Sequence, residues 1–148
     1  MDRSLSRKLH NLTARLDRGA DAILRAEAGV LYSRFLALYL VGLEGADTQR
    51  ALATRLGVTE PSVSRMVRVL AADGWLESTS DPAGGNRNQL RLTSTGQRLV
   101  RRWGAELEAR LAALVEAAGV PYRSYLTHTE RLLAELDAGP RAARRKSE

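Results

Sequence analysis

Cysteine is absent from this chain of 148 residues. That single absence excludes a disulfide framework, a thiolate metal site and a thiol-based redox switch. Long apolar runs are missing too: none approaches the roughly 20 residues that span a bilayer. The opening "MDRSLSRKLHNLTARL" alternates charge with leucine and lacks the apolar block of a secretory signal. The only histidines are His10 and His128, and neither has a carboxylate or second histidine at ligand spacing, so no metal is expected. No glycine-rich phosphate loop, nucleophile elbow or Ser-His-Asp spacing occurs, and Glu106, Glu108, Glu130 and Glu135 read as solvated helix faces. The expectation is a soluble, cytoplasmic protein with no membrane partner, no cofactor and no catalytic activity.

What is present is arginine. The chain holds 23 basic residues, 21 of them arginine, against 17 acidic ones, for a formal net charge of +6. This balance favours a polyanionic partner without naming one. Its distribution is uneven, since residues 47–93 carry six arginines against five acids, whereas the tail "RAARRKSE" carries four basic residues against one acid. That tail either adds non-specific attraction to DNA or serves as a solubilising end. A nucleic-acid role therefore has to rest on where particular arginines point.

Hydrophobic spacing orders the chain. Leu5, Leu9, Leu12 and Leu16 form a near-heptad helical stripe suited to packing on another helix, interrupted by Gly19. "LYSRFLALYLVGL" is a second helix, apolar on most sides and ended by Gly42 and Gly45. "DTQRALATRLGV" is a short amphipathic helix capped by Asp47 or Thr48 and closed by Gly57. Thr59 caps the next helix, Pro61 sits in its first turn, and Gly74 stops it. "WLEST" and "RNQLRLT" flank the turn signal "SDPAGGN" and form a β-hairpin. Thr93 or Ser94 caps a long helix, with Ser94 and Gln97 fitting a capping box. A last helix opens at Pro121, with Tyr122, Tyr125, Leu126, Leu132, Leu133 and Leu136 expected inward.

A short helix, a glycine turn, a second helix and an immediate hairpin make the layout of a winged helix-turn-helix. The fold class is mainly α with a small β-hairpin wing. The expected domains are N-terminal helices over 1–45, the winged module over 46–93, C-terminal dimerisation helices over 94–138 and a basic tail over 139–148.

The helix from Thr59 to Asp73 has a telling outer face. At roughly 100° per residue, Met66, Val67 and Leu70 fall on the side of Val63, and Pro61, Arg65, Arg68 and Ala72 fall opposite. Ser62 and Ser64 lie on the flanks. Small residues let a helix end settle into the major groove, and an arginine there can bond guanine O6 and N7 as a pair. Arg68, a turn further on, is placed for a phosphate. Glu60 is the exception, since a carboxylate repels phosphate unless it accepts from cytosine N4.

At these residues the chain resembles the MarR family of bacterial transcriptional regulators. "TQRALATRLGV", "PSVSRMV", "GWLE", a "DP" at the wing and "LTSTG" occur in the family's order between Thr48 and Leu99, and the flanking helices fit its layout. The resemblance implies a homodimer, built from the first and last two helices, that binds a pseudo-palindromic operator on double-stranded DNA as a repressor or activator. It implies that Ser62, Ser64 and Arg65 approach bases, and that Thr48 and Gln49 start the helix meeting the backbone. It also implies release by a small aromatic or anionic effector, for which Tyr32, Phe35, Tyr39 and Trp103 are the candidate pocket residues. The wing departs from the family: the usual acid–arginine pair at its tip is replaced by "AGGN", so either Arg87 enters a minor groove from a shifted register or the wing contributes little. The alternative reading is a winged-helix protein-interaction module that has lost specific DNA binding.

Overall fold

The computed structural model describes residues 4–80 and 88–139. Six helices and one hairpin follow in order: α1 (Leu5–Glu27), α2 (Tyr32–Leu43), α3 (Gln49–Leu56), α4 (Glu60–Ala72), β1 (Leu76–Ser80), β2 (Asn88–Leu92), α5 (Ser94–Ala117) and α6 (Tyr122–Asp137). The chain divides into two compact units, one of residues up to Leu107 and one from Glu108 onward.

In the first unit, a single core is assembled from five helices and the hairpin. Leu24 of α1, Leu38 of α2, Leu52 of α3, Val63 and Leu70 of α4 and Val100 of α5 are all but fully buried. Leu76, Leu90 and Leu92 of the hairpin join them. Burying an aliphatic side chain contributes about 1.5–3 kcal/mol, so these positions dominate the stability of the unit.

α1 runs without a break through Gly19, contrary to the interruption expected from its sequence. A glycine inside a helix costs only about 1 kcal/mol relative to alanine. Good helix formers on both sides and the anchoring of Leu24 in the core offset it. α2 likewise passes through Gly42, where a Cβ would lie 2.4 Å from Leu92 Cδ1. Glycine there lets the helix approach the wing strand. The turn from α1 to α2 is held by Asp21, which accepts the Tyr32 backbone N–H at 2.9 Å and pairs with Arg25 at 2.6 Å. That backbone bond, with Arg25 assisting, holds the Asp21 carboxyl below the ordinary carboxylate range against the opposing effect of burial.

The hairpin is antiparallel, with Leu76 opposite Leu92 and Ser78 opposite Leu90. Its base is fixed on two sides. Leu90 N–H donates to Asp47 C=O at 2.7 Å, and Thr48 bridges Gln89, which ties β2 to the entry of α3. On the other side Thr93 N–H donates to Trp75 C=O at 3.1 Å, and the Thr93 hydroxyl donates to Gly74 C=O at 2.7 Å. Thr93, not Ser94, caps α5, since its Oγ1 accepts the Gly96 N–H at 3.1 Å. Ser94 is already helical, so the Ser94–Gln97 capping box does not form. Gly96 explains the glycine of "LTSTG": a Cβ there would sit 2.2 Å from the Trp75 carbonyl oxygen.

In the second unit, the end of α5 and α6 are joined by a bond from the Tyr122 hydroxyl to the Glu108 carboxylate, which raises the Tyr122 phenol above its ordinary value. The stripe expected inward on α6 is instead largely exposed. No residue of α6 is buried, and Leu132 and Leu136 are 59% and 76% exposed. Among the described residues no single helix is long and apolar enough to cross a membrane; the one pair that reaches the length together, α1 with α2, is bent by 95°.

Candidate nucleic-acid interface

The turn between α3 and α4 sets the site. Thr48 caps α3 by accepting the Ala51 N–H at 3.1 Å. Gly57 closes α3 in the left-handed conformation, φ +67°, and donates to Ala53 and Thr54. Only a residue without Cβ takes this conformation cheaply. The chain then reverses into Thr59, whose Oγ1 accepts the Ser62 N–H at 3.3 Å and starts α4.

α4 is seated by Val63, Val67 and Leu70, all buried. Its opposite face carries Pro61, Arg65 and Arg68, each exposed, with Ser62 and Ser64 half-buried at the flanks. Thr59 is exposed, and Thr48 and Gln49 are half-buried at the start of α3. Each residue expected to meet DNA is thus exposed or half-buried, except Arg87, which lies outside the described residues. With no N–H on Pro61 and that of Ser62 taken by Thr59, it is the guanidinium and hydroxyl groups of this surface that can meet phosphates and base edges.

Two features of this surface escape a reading by spacing. Glu60 has a partner, since its Oε1 lies 3.9 Å from Arg50 Nε on α3. Both side chains are well exposed, so the pair contributes little to stability. It does set an arginine beside the carboxylate that made Glu60 an exception. Arg50 lies ten residues away across a turn, and only the packing of α3 on α4 makes them neighbours. The second feature is that Arg65 Nη2 donates to Ser62 Oγ at 3.2 Å, while Thr59 Oγ1 donates to the same oxygen at 3.0 Å. Serine, threonine and arginine at intervals of three on a helix could have signalled this contact.

Two further ion pairs brace the module. Arg55 joins Glu44 at 2.9 Å, linking the end of α3 to the end of α2. Arg34 approaches Asp73 at 3.9 Å, linking α2 to the C-cap of α4.

The aromatic candidates divide. Phe35 and Trp103 are buried in the core. Tyr32 and Tyr39 are half-buried, with the Tyr39 ring 6.2 Å from that of Phe35. Burial, with Asp17 beside it, raises the Tyr32 phenol above its ordinary value. A separate shallow groove is lined by Gly42, Leu43, Leu92, Gln97 and Arg101. Among the described residues no group of three or more His, Cys, Asp or Glu is placed to hold a metal ion.

Comparison with known proteins gives the same picture. Residues 28–85 match the sequence model of the MarR family. The chain is 32% identical over 83 residues to the HTH-type transcriptional regulator PetP of Rhodobacter capsulatus, covering 56% of this chain and 50% of that protein. It spans about half to three-fifths of the length of the curated relatives it matches. Among solved structures, the MepR–DNA complex of Staphylococcus aureus superposes with a TM-score of 0.72 at 19% identity, covering 93% of this chain and 99% of that one. NadR in complex with 4-hydroxyphenylacetate superposes with a TM-score of 0.71 at 23% identity, covering 92% and 95%. At such identities the structures establish the shared fold, mostly helical with a two-stranded wing. Over residues 28–85, carried on that fold, the chain is similar to the MarR family.

Proposed function

We propose that this protein is a transcriptional regulator, not an enzyme, that binds a pseudo-palindromic operator on double-stranded DNA as a homodimer. The observation that carries this reading is the outer face of α4: Arg65, Arg68, Pro61 and two serines stand opposite the buried Val63, Val67 and Leu70. α4 enters the major groove, Arg65 reads a guanine, Ser62 and Ser64 stand at its flanks, and Arg68 and Gln49 anchor phosphates. Thr48, Thr59 and Pro61 shape the approach to the backbone, and Arg87 enters the adjacent minor groove. Supporting the reading, PetP is a transcriptional regulator by name and MepR has been solved on DNA.

The dimer is formed by the N-terminal helices over 1–45 and the C-terminal helices over 94–138, with the module over 46–93 presented to DNA. Exposed leucines on α1 and α6 supply its apolar contact. Two-fold symmetry then places the two α4 helices about one DNA turn apart, roughly 34 Å. A small aromatic or anionic effector is proposed at the aromatic face of α2, where Tyr32 and Tyr39 are the accessible members and Phe35 and Trp103 the buried support. The 4-hydroxyphenylacetate bound by NadR supports that ligand class. Such a protein acts in the bacterial cytoplasm.

The test is a titration of the protein against DNA upstream of its own gene at low and moderate salt. Specific binding that falls steeply with salt is expected. Arg65→Ala should cost about 1–3 kcal/mol at the operator and flatten its sequence preference. Arg68→Ala should weaken all sequences alike and reduce the salt slope by about 1. No binding at low salt, with or without effector, would overturn the proposal in favour of a protein-interaction module, which the near-neutral charge of residues 47–93 would suit.

A further inference from the structure

The two arginines on the outer face of α4 are held differently. Arg68 makes no hydrogen bond or ion pair among the described residues, and Arg65 is tied to Ser62 at 3.2 Å. Ser62 is itself fixed twice to Thr59: its N–H donates to Thr59 Oγ1 at 3.3 Å, and its Oγ accepts the Thr59 hydroxyl proton at 3.0 Å. Thr59 is the N-cap, so the chain of bonds begins at the residue that starts the helix. It ends on a side chain with four rotatable bonds.

A serine oxygen has two lone pairs and one proton. In Ser62 both lone pairs are committed, one to Thr59 and one to Arg65. A guanidinium has five N–H donors in one plane. Nη2 contributes one hydrogen to each of the two forks, end-on with Nη1 and side-on with Nε. Giving one of them to Ser62 leaves the other fork complete, with two parallel N–H groups available for the O6 and N7 of a guanine.

We infer that Ser62 is a positioning residue for base recognition: with Thr59 behind it, its hydroxyl holds the Arg65 guanidinium in a reading pose before DNA arrives. This rests on the proposed DNA binding. Fixing a long side chain in advance removes part of the entropy that binding would otherwise lose. Because the pose is set only for the guanine partner, the gain appears as sequence preference and leaves non-specific affinity alone. Ser62 therefore acts through Arg65.

Two measurements test it. In the free protein, nitrogen-15 relaxation of the arginine side chains should show Arg65 more ordered than Arg68, and Ser62→Ala should remove the difference. Equal mobility of the two arginines in the wild type overturns the inference, whatever the protein binds. On DNA, operator variants differing only at the guanine read by Arg65 should lose discrimination by about threefold to tenfold in Ser62→Ala. Ser62→Thr, which keeps the hydroxyl, should restore it. In an Arg65→Ala background, Ser62→Ala should change nothing further at that base pair. A uniform loss across all sequences in Ser62→Ala, or an additive loss in the double variant, overturns the positioning role. Absence of specific binding by the wild type overturns the regulator reading and the base-recognition role with it, and leaves the relaxation result to decide only whether Ser62 orders the Arg65 side chain.

Discussion

α4 and α6 are both amphipathic helices, of 13 and 16 residues, and their fates in the fold are opposite. α4 buries Val63, Val67 and Leu70 against its own subunit, whereas α6, richer in leucine, buries nothing. The difference teaches that apolar periodicity announces a face that needs covering and is silent on what covers it. For α4 the cover is the rest of the winged module. For α6 we propose a second copy of the chain, since the leucine stripe at its end and the Leu5, Leu9 and Leu12 stripe of α1 are otherwise left in water.

The sharpest way to break this comparison is to charge the uncovered stripe. Leu132→Glu with Leu136→Glu should remove roughly 3–6 kcal/mol of apolar burial per protomer of the proposed dimer, at about 1.5–3 kcal/mol per leucine. Sedimentation should then find monomers at micromolar concentration, with the helical signal of the winged module retained. Dimers that persist would remove α6 from the interface, and a monomeric wild type would remove the dimer altogether. Next in size, Leu70→Ala attacks the covered face. It should cost about 2–5 kcal/mol in urea unfolding of the module. A cost below about 1 kcal/mol would mean that α4 is not seated as described.

The smallest effect is electrostatic and lies at the turn joining α1 to α2. Because the Asp21 carboxyl is depressed in the folded protein, its contribution to stability is complete above the ordinary carboxylate range and fades as pH falls through its folded value. Thermal melts should therefore show the wild type losing stability below about pH 4 more steeply than Asp21→Ala, with the variant already weaker at neutral pH. Parallel acid profiles for the two proteins would show that the Tyr32 bond does not depend on the charge of Asp21.

Much of the module was legible in the sequence because its signals are local. Gly57 and Thr59 mark the turn, Pro61 marks the first turn of α4, and the alternation in "RNQLRLT" marks the strand. The outer face of α4 followed from spacing alone. The misreadings share one cause, which is that a local preference was decided by contacts distant in sequence. Gly19 does not break α1 because Leu24 is anchored in a core built from four other helices and the hairpin. The Ser94–Gln97 capping box does not form, since Thr93, the other candidate, takes the cap with a hydroxyl that also reaches Gly74, nineteen residues earlier. The Arg50–Glu60 pair likewise depends on how α3 lies against α4.

One consequence follows from the missing side chain at residue 96. With a bare α-carbon against the Trp75 carbonyl and the Thr93 hydroxyl locked to Gly74, the first turn of α5 and the root of the wing move as one piece. The start of α5 thus resembles the hilt of a tool whose blade is the hairpin: a tilt of that first turn is passed to the strands, and a push on the strands is passed back to it.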